Sequence, residues 1–255
     1  AVLIGAIERS KLIYTLNRDA DANLTISSPL EANRPTAIVQ CIVGVDVGYE
    51  NPVFASLETD YADADADSTG EALARTEKRL TYYELDLGLN HVVRRWTEPV
   101  DRSAHHLISV PGGYNYSTEA WDGPSGVLVC IDDYIVYRHP DQPPHIVPIP
   151  VRENASIHRG SMIVASVLHK MKTSFFLLVQ NEDGDLFKVT VEHDEEQVKA
   201  VRIKYFDTVP VAASLCILRS GYLFVASDSG SQRLYAFEKL GDDDDEPEYL
   251  STSHD

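Results

Sequence analysis

Two stretches of the chain can be laid over one another, and this self-similarity narrows the fold more than any other feature of the sequence. FFLLVQNEDGDLFKVTVE, starting at Phe175, aligns with GYLFVASDSGSQRLYAFE, starting at Gly221. Leu177, Leu178 and Val179 fall on Leu223, Phe224 and Val225, Gly184 falls on Gly230, and the copies stand 46 residues apart. A strand-turn-strand unit recurring at about 40 to 50 residues has the spacing of propeller blades, each a four-stranded sheet stacked on its neighbours around an axis. A looser third copy runs from Gly126 to Ile131, turns at Asp132-Asp133 and continues from Tyr134 to Tyr137.

The region from Tyr205 to Leu240 shows the unit most openly. Strands are predicted over Ala212 to Leu218, Tyr222 to Ser227 and Gln232 to Phe237, with turns at Arg219-Ser220-Gly221 and at Asp228 to Ser231. The apolar run Leu223-Phe224-Val225 predicts a strand covered on both faces, whereas the alternation around Arg233, Tyr235 and Phe237 predicts a more exposed one.

Carried along the chain, the repeat gives an all-β reading as one partial β-propeller of antiparallel blades. Residues 1–36 make an incomplete blade, 37–100 a blade with an acidic insert, 101–155 and 156–208 two full blades, and 209–255 a second incomplete one. The insert, Tyr61 to Arg79, is expected to be a polar loop with one helical turn in Glu71 to Lys78. The passage PGGYNYSTEAWDGPSG reads as a loop. Prolines 140, 143, 144, 148 and 150 place the strand near His145 at a sheet edge. A blade lacking a strand leaves an edge open, so the sequence is expected to be a piece of a longer propeller that does not stay soluble as an isolated monomer.

Charge excludes one class of partner. Forty acidic against 22 basic residues give a net charge of −18, which repels a phosphate backbone, so little or no direct nucleic-acid contact is expected. There is no apolar run long enough for a bilayer, hence no membrane role, and the opening AVLIGAI has neither the charged start nor the cleavage site of a signal peptide. Cys41, Cys130 and Cys216 lie singly in apolar surroundings, which suits buried thiols in a reducing compartment. Sequons at Asn23, Asn115 and Asn154 are the counter-indication, fitting a secreted, lectin-like propeller.

Candidate chemistry is sparse. Asp63, Asp65 and Asp67 alternate like the front of a calcium loop, but Ser68 and Ala74 stand where glycine and glutamate belong. The nine histidines have no zinc spacing. Asp183-Gly184-Asp185, a possible carboxylate pair of a propeller hydrolase, reads better as a hairpin turn. Neither catalytic, metal nor cofactor residues are assigned. Asp242 to Glu246 is a flexible connection or a dock for a basic partner, Trp96 is expected to pack between blades, and Trp121 suits packing or recognition equally. The best contact candidate is the loop Tyr205, Phe206, Asp207, Thr208, Val209 and Pro210, which carries two aromatics and a proline between blades.

Several long peptides carry a family resemblance. ELDLGLNHVVR at 84–94, DGPSGVLVC at 122–130, KYFDTVPVAASLCIL at 204–218 and LGDDDDEPE at 240–248 resemble the splicing factor 3b subunit 3 family, the 130-kilodalton spliceosome-associated proteins. NRDADANLTISSPLEA at 17–32 and VGVDVGYENPVFASLETDY at 43–61 extend the likeness over nearly the whole chain. The resemblance implies three seven-bladed, WD40-like propellers, with this stretch in the later part of the first. It implies a nuclear, non-enzymatic scaffold of the U2 small nuclear ribonucleoprotein that supports branch-site recognition in pre-mRNA splicing. The implied partners are the HEAT-repeat subunit and a small helical subunit of splicing factor 3b, other U2 proteins, and a histone-acetylating coactivator complex. Relatives that adapt ubiquitin ligases or serve 3′-end cleavage and polyadenylation are the alternative. Tyr114 to Trp121 is longer than the family's usual passage.

Overall fold

The computed structural model describes residues 2–7, 10–33, 36–45, 51–115, 119–152, 160–171, 174–240, 249–250 and 252–253. They fall into two units, Ala1–Ser109 and Val110–Asp255. Both are built from antiparallel sheets.

In the first unit, β1 (Val2–Ile7), β2 (Ser10–Arg18), β3 (Leu24–Ile26) and β4 (Leu30–Asn33) form one sheet. β1 pairs along one side of β2, while the other side is shared, β4 taking Ser10 to Ile13 and β3 taking Leu16 to Arg18. Pro29, which has no N–H to donate, lies between β3 and β4. At the gap the Thr15 N–H donates to Ser27 Oγ at 3.0 Å. The second sheet runs β5 (Ala37–Val45), β6 (Val53–Asp60), β7 (Lys78–Asp86), β8 (His91–Val100), in that order. β9 (His106–Ser109) closes the unit.

The acidic insert holds the expected helical turn as α2 (Glu71–Arg75) and a second short helix that was not expected, α1 (Ala62–Ala66). Asp67 lies between them. Its carboxylate accepts the N–H groups of Thr69 and Ala72, each at 2.8 Å, and these bonds hold its pKa down at about 2. Trp96 is half-buried. It sits opposite Tyr82 in its own sheet, ring edge to ring face at 5.3 Å, so its aromatic partner is a cross-strand neighbour.

In the second unit the passage read as a loop contains a ribbon, β10 (Gly112–Asn115) and β11 (Ala120–Pro124). Tyr114 faces Trp121 across it, rings 5.7 Å apart and perpendicular. The third sheet has β12 (Val127–Ile131), β13 (Tyr134–His139) and β14 (Gln142–Pro148), and the fourth has β15 (Ile163–Lys170), β16 (Phe175–Asn181), β17 (Asp185–Asp194) and β18 (Gln197–Thr208). β19 (Ser214–Leu218), β20 (Tyr222–Ala226) and β21 (Arg233–Ala236) make the fifth.

Two short strands then return, β22 (Tyr249–Leu250) on β18 and β23 (Thr252–Ser253) on β14. The proline-rich strand is therefore not an edge. β23 pairs at His145 and Ile146, which follow Pro143 and Pro144 and retain their N–H donors.

One part of this unit's core lies between the fourth and fifth sheets. Phe176, Leu178 and Leu186 face Leu215, Leu223 and Val225, all within one buried cluster. At about 1.5–3 kcal/mol for each fully buried large aliphatic or aromatic side chain, this face dominates the local stability. The fifth sheet's other side is open, so the run Leu223-Phe224-Val225 is not covered on both faces as expected; Phe224 is 37% exposed. Cys216 lies on that side and is exposed, contrary to the reading of three buried thiols, whereas Cys130 is buried.

Candidate protein-docking face

Tyr205 to Thr208 are not loop residues; they are the last four of β18, and only Val209 and Pro210 lie beyond it. The pairing of β17 with β18 shifts register here, Leu186 opposing Asp207 and Phe187 opposing Tyr205, so Phe206 is the extra residue of a bulge. A bulge re-aims side chains. Tyr205 is 44% exposed, Asp207 and Pro210 are also exposed, Phe206 turns against Phe237 with rings 5.9 Å apart, and Val209 is buried. The six residues thus divide into an outward and an inward set.

Two polar groups fix this segment. Gln180, fully buried at the end of β16, directs Nε2 at the carbonyls of Gly184, Val209 and Pro210 at 3.1–3.2 Å. Its Oε1 accepts the Ala212 N–H at 2.8 Å. One amide side chain therefore ties the β18–β19 connection to the β16–β17 turn. Gly184 is required by the same approach: its φ is +89°, and a Cβ would stand 2.4 Å from the Val209 carbonyl oxygen.

Asp185, almost fully buried, is the second. Its carboxylate accepts Nε of Arg152 at 2.7 Å, Nη2 at 2.5 Å and the Thr208 hydroxyl at 2.6 Å, and that hydroxyl lies 2.9 Å from the Tyr205 hydroxyl. Burial pushes the Asp185 pKa up, but the bonds from Arg152 and Thr208 outweigh it and leave the group below the ordinary carboxylate range. The Arg152 side chain is 57% exposed, so the bidentate fork contributes orientation more than stability. Asp183 and Gly184 form the turn between β16 and β17, with the Asp183 and Asp185 N–H groups donating to Asn181 Oδ1. Among the described residues no three His, Cys, Asp or Glu side chains gather as metal ligands.

Sequence reasoning missed a buried ionic cluster in the first unit. Lys11 of β2 is fully buried, its Nζ 3.1 Å from Glu58 Oε1 and 5.1 Å from the Tyr83 ring centre, and the Tyr83 hydroxyl donates to Glu58 at 3.0 Å. The ammonium is placed as an ion pair rather than as a directed hydrogen bond. Lys11 alternates with Ile13 on the buried side of β2, and that position within an apolar strand was the available signal.

Residues 1–253 match the family model described as the RSE1/DDB1/CPSF1 first beta-propeller. The chain belongs to this family. Its architecture is accordingly an all-β propeller with antiparallel, four-stranded blades, and the five sheets are the blades present. The chain is 65% identical over 259 residues to the pre-mRNA-splicing factor RSE1 of Mycosarcoma maydis, covering 100% of this chain and 21% of that protein. It is 55% identical over 254 residues to splicing factor 3B subunit 3 of Danio rerio, covering 98% and 20%. Against spliceosome-associated protein 130 A of Arabidopsis thaliana identity is 49% over 245 residues, covering 96% and 20%. The chain thus spans about a fifth of the length of these relatives, whose names are those of splicing proteins.

Proposed function

We propose that this chain is part of the first, seven-bladed propeller of a splicing factor 3b subunit 3. In this reading it is a nuclear, non-enzymatic scaffold of the U2 small nuclear ribonucleoprotein that supports branch-site recognition. The observation that carries this is the end-to-end likeness to the splicing factor of Mycosarcoma maydis. The open side of the fifth sheet supports the larger ring, since a further blade stacked there would cover Phe224. Proteins, not RNA, are the partners that a net charge of −18 favours. They are the HEAT-repeat and small helical subunits of splicing factor 3b, other U2 proteins and a histone-acetylating coactivator complex. Tyr205, Asp207 and Pro210 form a contact surface held rigid by Gln180 and Asp185, which lowers the ordering cost of binding.

Capture of the full-length protein from nuclear extract tests the reading. Recovery of U2 RNA with the HEAT-repeat subunit is expected; recovery of a cullin ligase or of the polyadenylation machinery in their place would overturn it. In the same capture, Tyr205→Ala with Asp207→Lys is expected to reduce the HEAT-repeat subunit about ten-fold if one buried aromatic anchor is lost.

A further inference from the structure

After β21 the chain turns back, and the segment from Tyr249 to Ser253 crosses first the fourth sheet and then the third. Tyr249 and Leu250 pair antiparallel with Ile203 and Arg202 of β18, and Thr252 and Ser253 pair antiparallel with Ile146 and His145 of β14. One segment thus supplies the last strand of two sheets.

The two strands it lies on are already neighbours. Gln142, at the start of β14, donates Nε2 to the Glu196 carbonyl at 2.7 Å and accepts the Val198 N–H on Oε1 at 2.9 Å, which ties the third sheet to the fourth near the start of β18. The returning segment joins the same two strands again farther along each. Its hold is small: β22 and β23 have two residues each, against seven in β14 and twelve in β18. An element with so few backbone bonds opens at the low end of the stability range, whereas the fourth sheet, built on the fully buried β16, opens at the high end. Once the segment lifts, the outer sides of β14 and β18 face no strand among the described residues. Such an edge takes up another extended chain through main-chain hydrogen bonds, and here an extended chain is already seated on it.

We propose that Tyr249 to Ser253 is a latch across the third and fourth sheets that opens while both stay folded, and that the edge beneath it receives an extended segment of a partner protein as an added strand. Recognition at this edge is by the backbone. The partner is therefore defined by an extended stretch free of proline, more than by particular side chains.

The test uses the full-length protein and a variant of it carrying Tyr249→Pro, Leu250→Pro, Thr252→Pro and Ser253→Pro, which removes the N–H donors of β22 and β23. In the variant, hydrogen exchange is expected to rise about ten-fold or more over Arg202–Ile203 and His145–Ile146 and to stay unchanged in β16. A fluorescein-labelled peptide of residues 247–255, PEYLSTSHD, is read by anisotropy. It is expected to bind the variant about ten-fold or more tightly than the intact protein, whose own segment holds the edge. An alternating threonine-valine nonapeptide is expected to displace it. Unchanged exchange at the two pairs, or faster exchange in β16 as well, would overturn the latch. Equal binding of the labelled peptide to both proteins, no binding at millimolar peptide, or no displacement by the threonine-valine peptide would overturn the receiving edge.

Discussion

β16 and β20 occupy equivalent places in one repeat, and their surroundings differ. Leu177, Leu178 and Val179 are fully buried; of their counterparts, Leu223 and Val225 are buried and Phe224 is not. The side chains of each triplet are of one kind, so composition does not set the difference. What sets it is the number of sheets stacked on the strand. β16 is buried along its whole length, whereas β20 has the fourth sheet on one side and an open second side. A continuous apolar run states that a strand can be covered twice, and only stacking supplies the cover.

The largest effect should come from truncating these strands. Phe176→Ala is expected to cost about 3–5 kcal/mol, as for other buried aromatics. Phe224→Ala in the 255-residue chain should cost less than about 1 kcal/mol, as at other partly exposed sites. In the full-length protein Phe224→Ala should rise to the Phe176 value if a further blade covers it, and equal small costs in both lengths would remove the proposed ring. Hydrogen exchange in β16 and β20 reads both outcomes.

A smaller effect separates the two turns. Gly184→Ala meets a left-handed φ and the Val209 carbonyl, which predicts a loss of about 1–3 kcal/mol and faster exchange at Val209 and Ala212. At the equivalent Gly230 a Cβ would have only Ser227 Oγ near it, at 3.7 Å, so Gly230→Ala should change stability by less than about 0.5 kcal/mol. Equal costs would mean that the Gln180 tie does not hold the turn.

The smallest effect is a pH dependence confined to one copy. Asp185 has a folded pKa below its unfolded one, so its contribution is fully present above the unfolded value near pH 4 and is lost as pH falls through the folded value. The repeat places Ser231 at the matching position of the fifth sheet. Acidification below about pH 4 should therefore loosen Tyr205 to Thr208 through protonation of Asp185, an effect that Asp185→Asn removes. Amide exchange at Thr208 in the two proteins checks this, and identical acid profiles would contradict it.

In the first unit the Lys11–Glu58 pair offers a control that does not depend on the repeat. Lys11→Met leaves Glu58 buried without its cation and is expected to destabilise β2 and β6 by about 3–5 kcal/mol. Adding Glu58→Leu should restore most of it, as measured by exchange in those strands.

Much of the fold was legible because the signals were local. Apolar runs and turn residues located β19 to β21 to within about two residues, and the repeat placed β16 and β17. The reading failed where the deciding group was distant in sequence or the cue was weak. Tyr114 to Trp121 has glycines and polar residues that suggest a loop, yet cross-strand aromatic pairing makes it a ribbon. Tyr205 to Thr208 reads locally as a loop and is a strand end, because the partner strand that extends β18 begins at Asp185.

The sequence by itself determined the strands, their 46-residue recurrence, the acidic balance and the membership of the family, since each is written in neighbouring residues or long identical peptides. Tertiary structure alone decided that Gln180 and Asp185 would hold the β18–β19 connection, that Lys11 would meet Glu58, and that Phe224 would stay uncovered. Those outcomes depend on which surfaces are brought together in space, and the removal of a polar or apolar group from water is a property of that meeting.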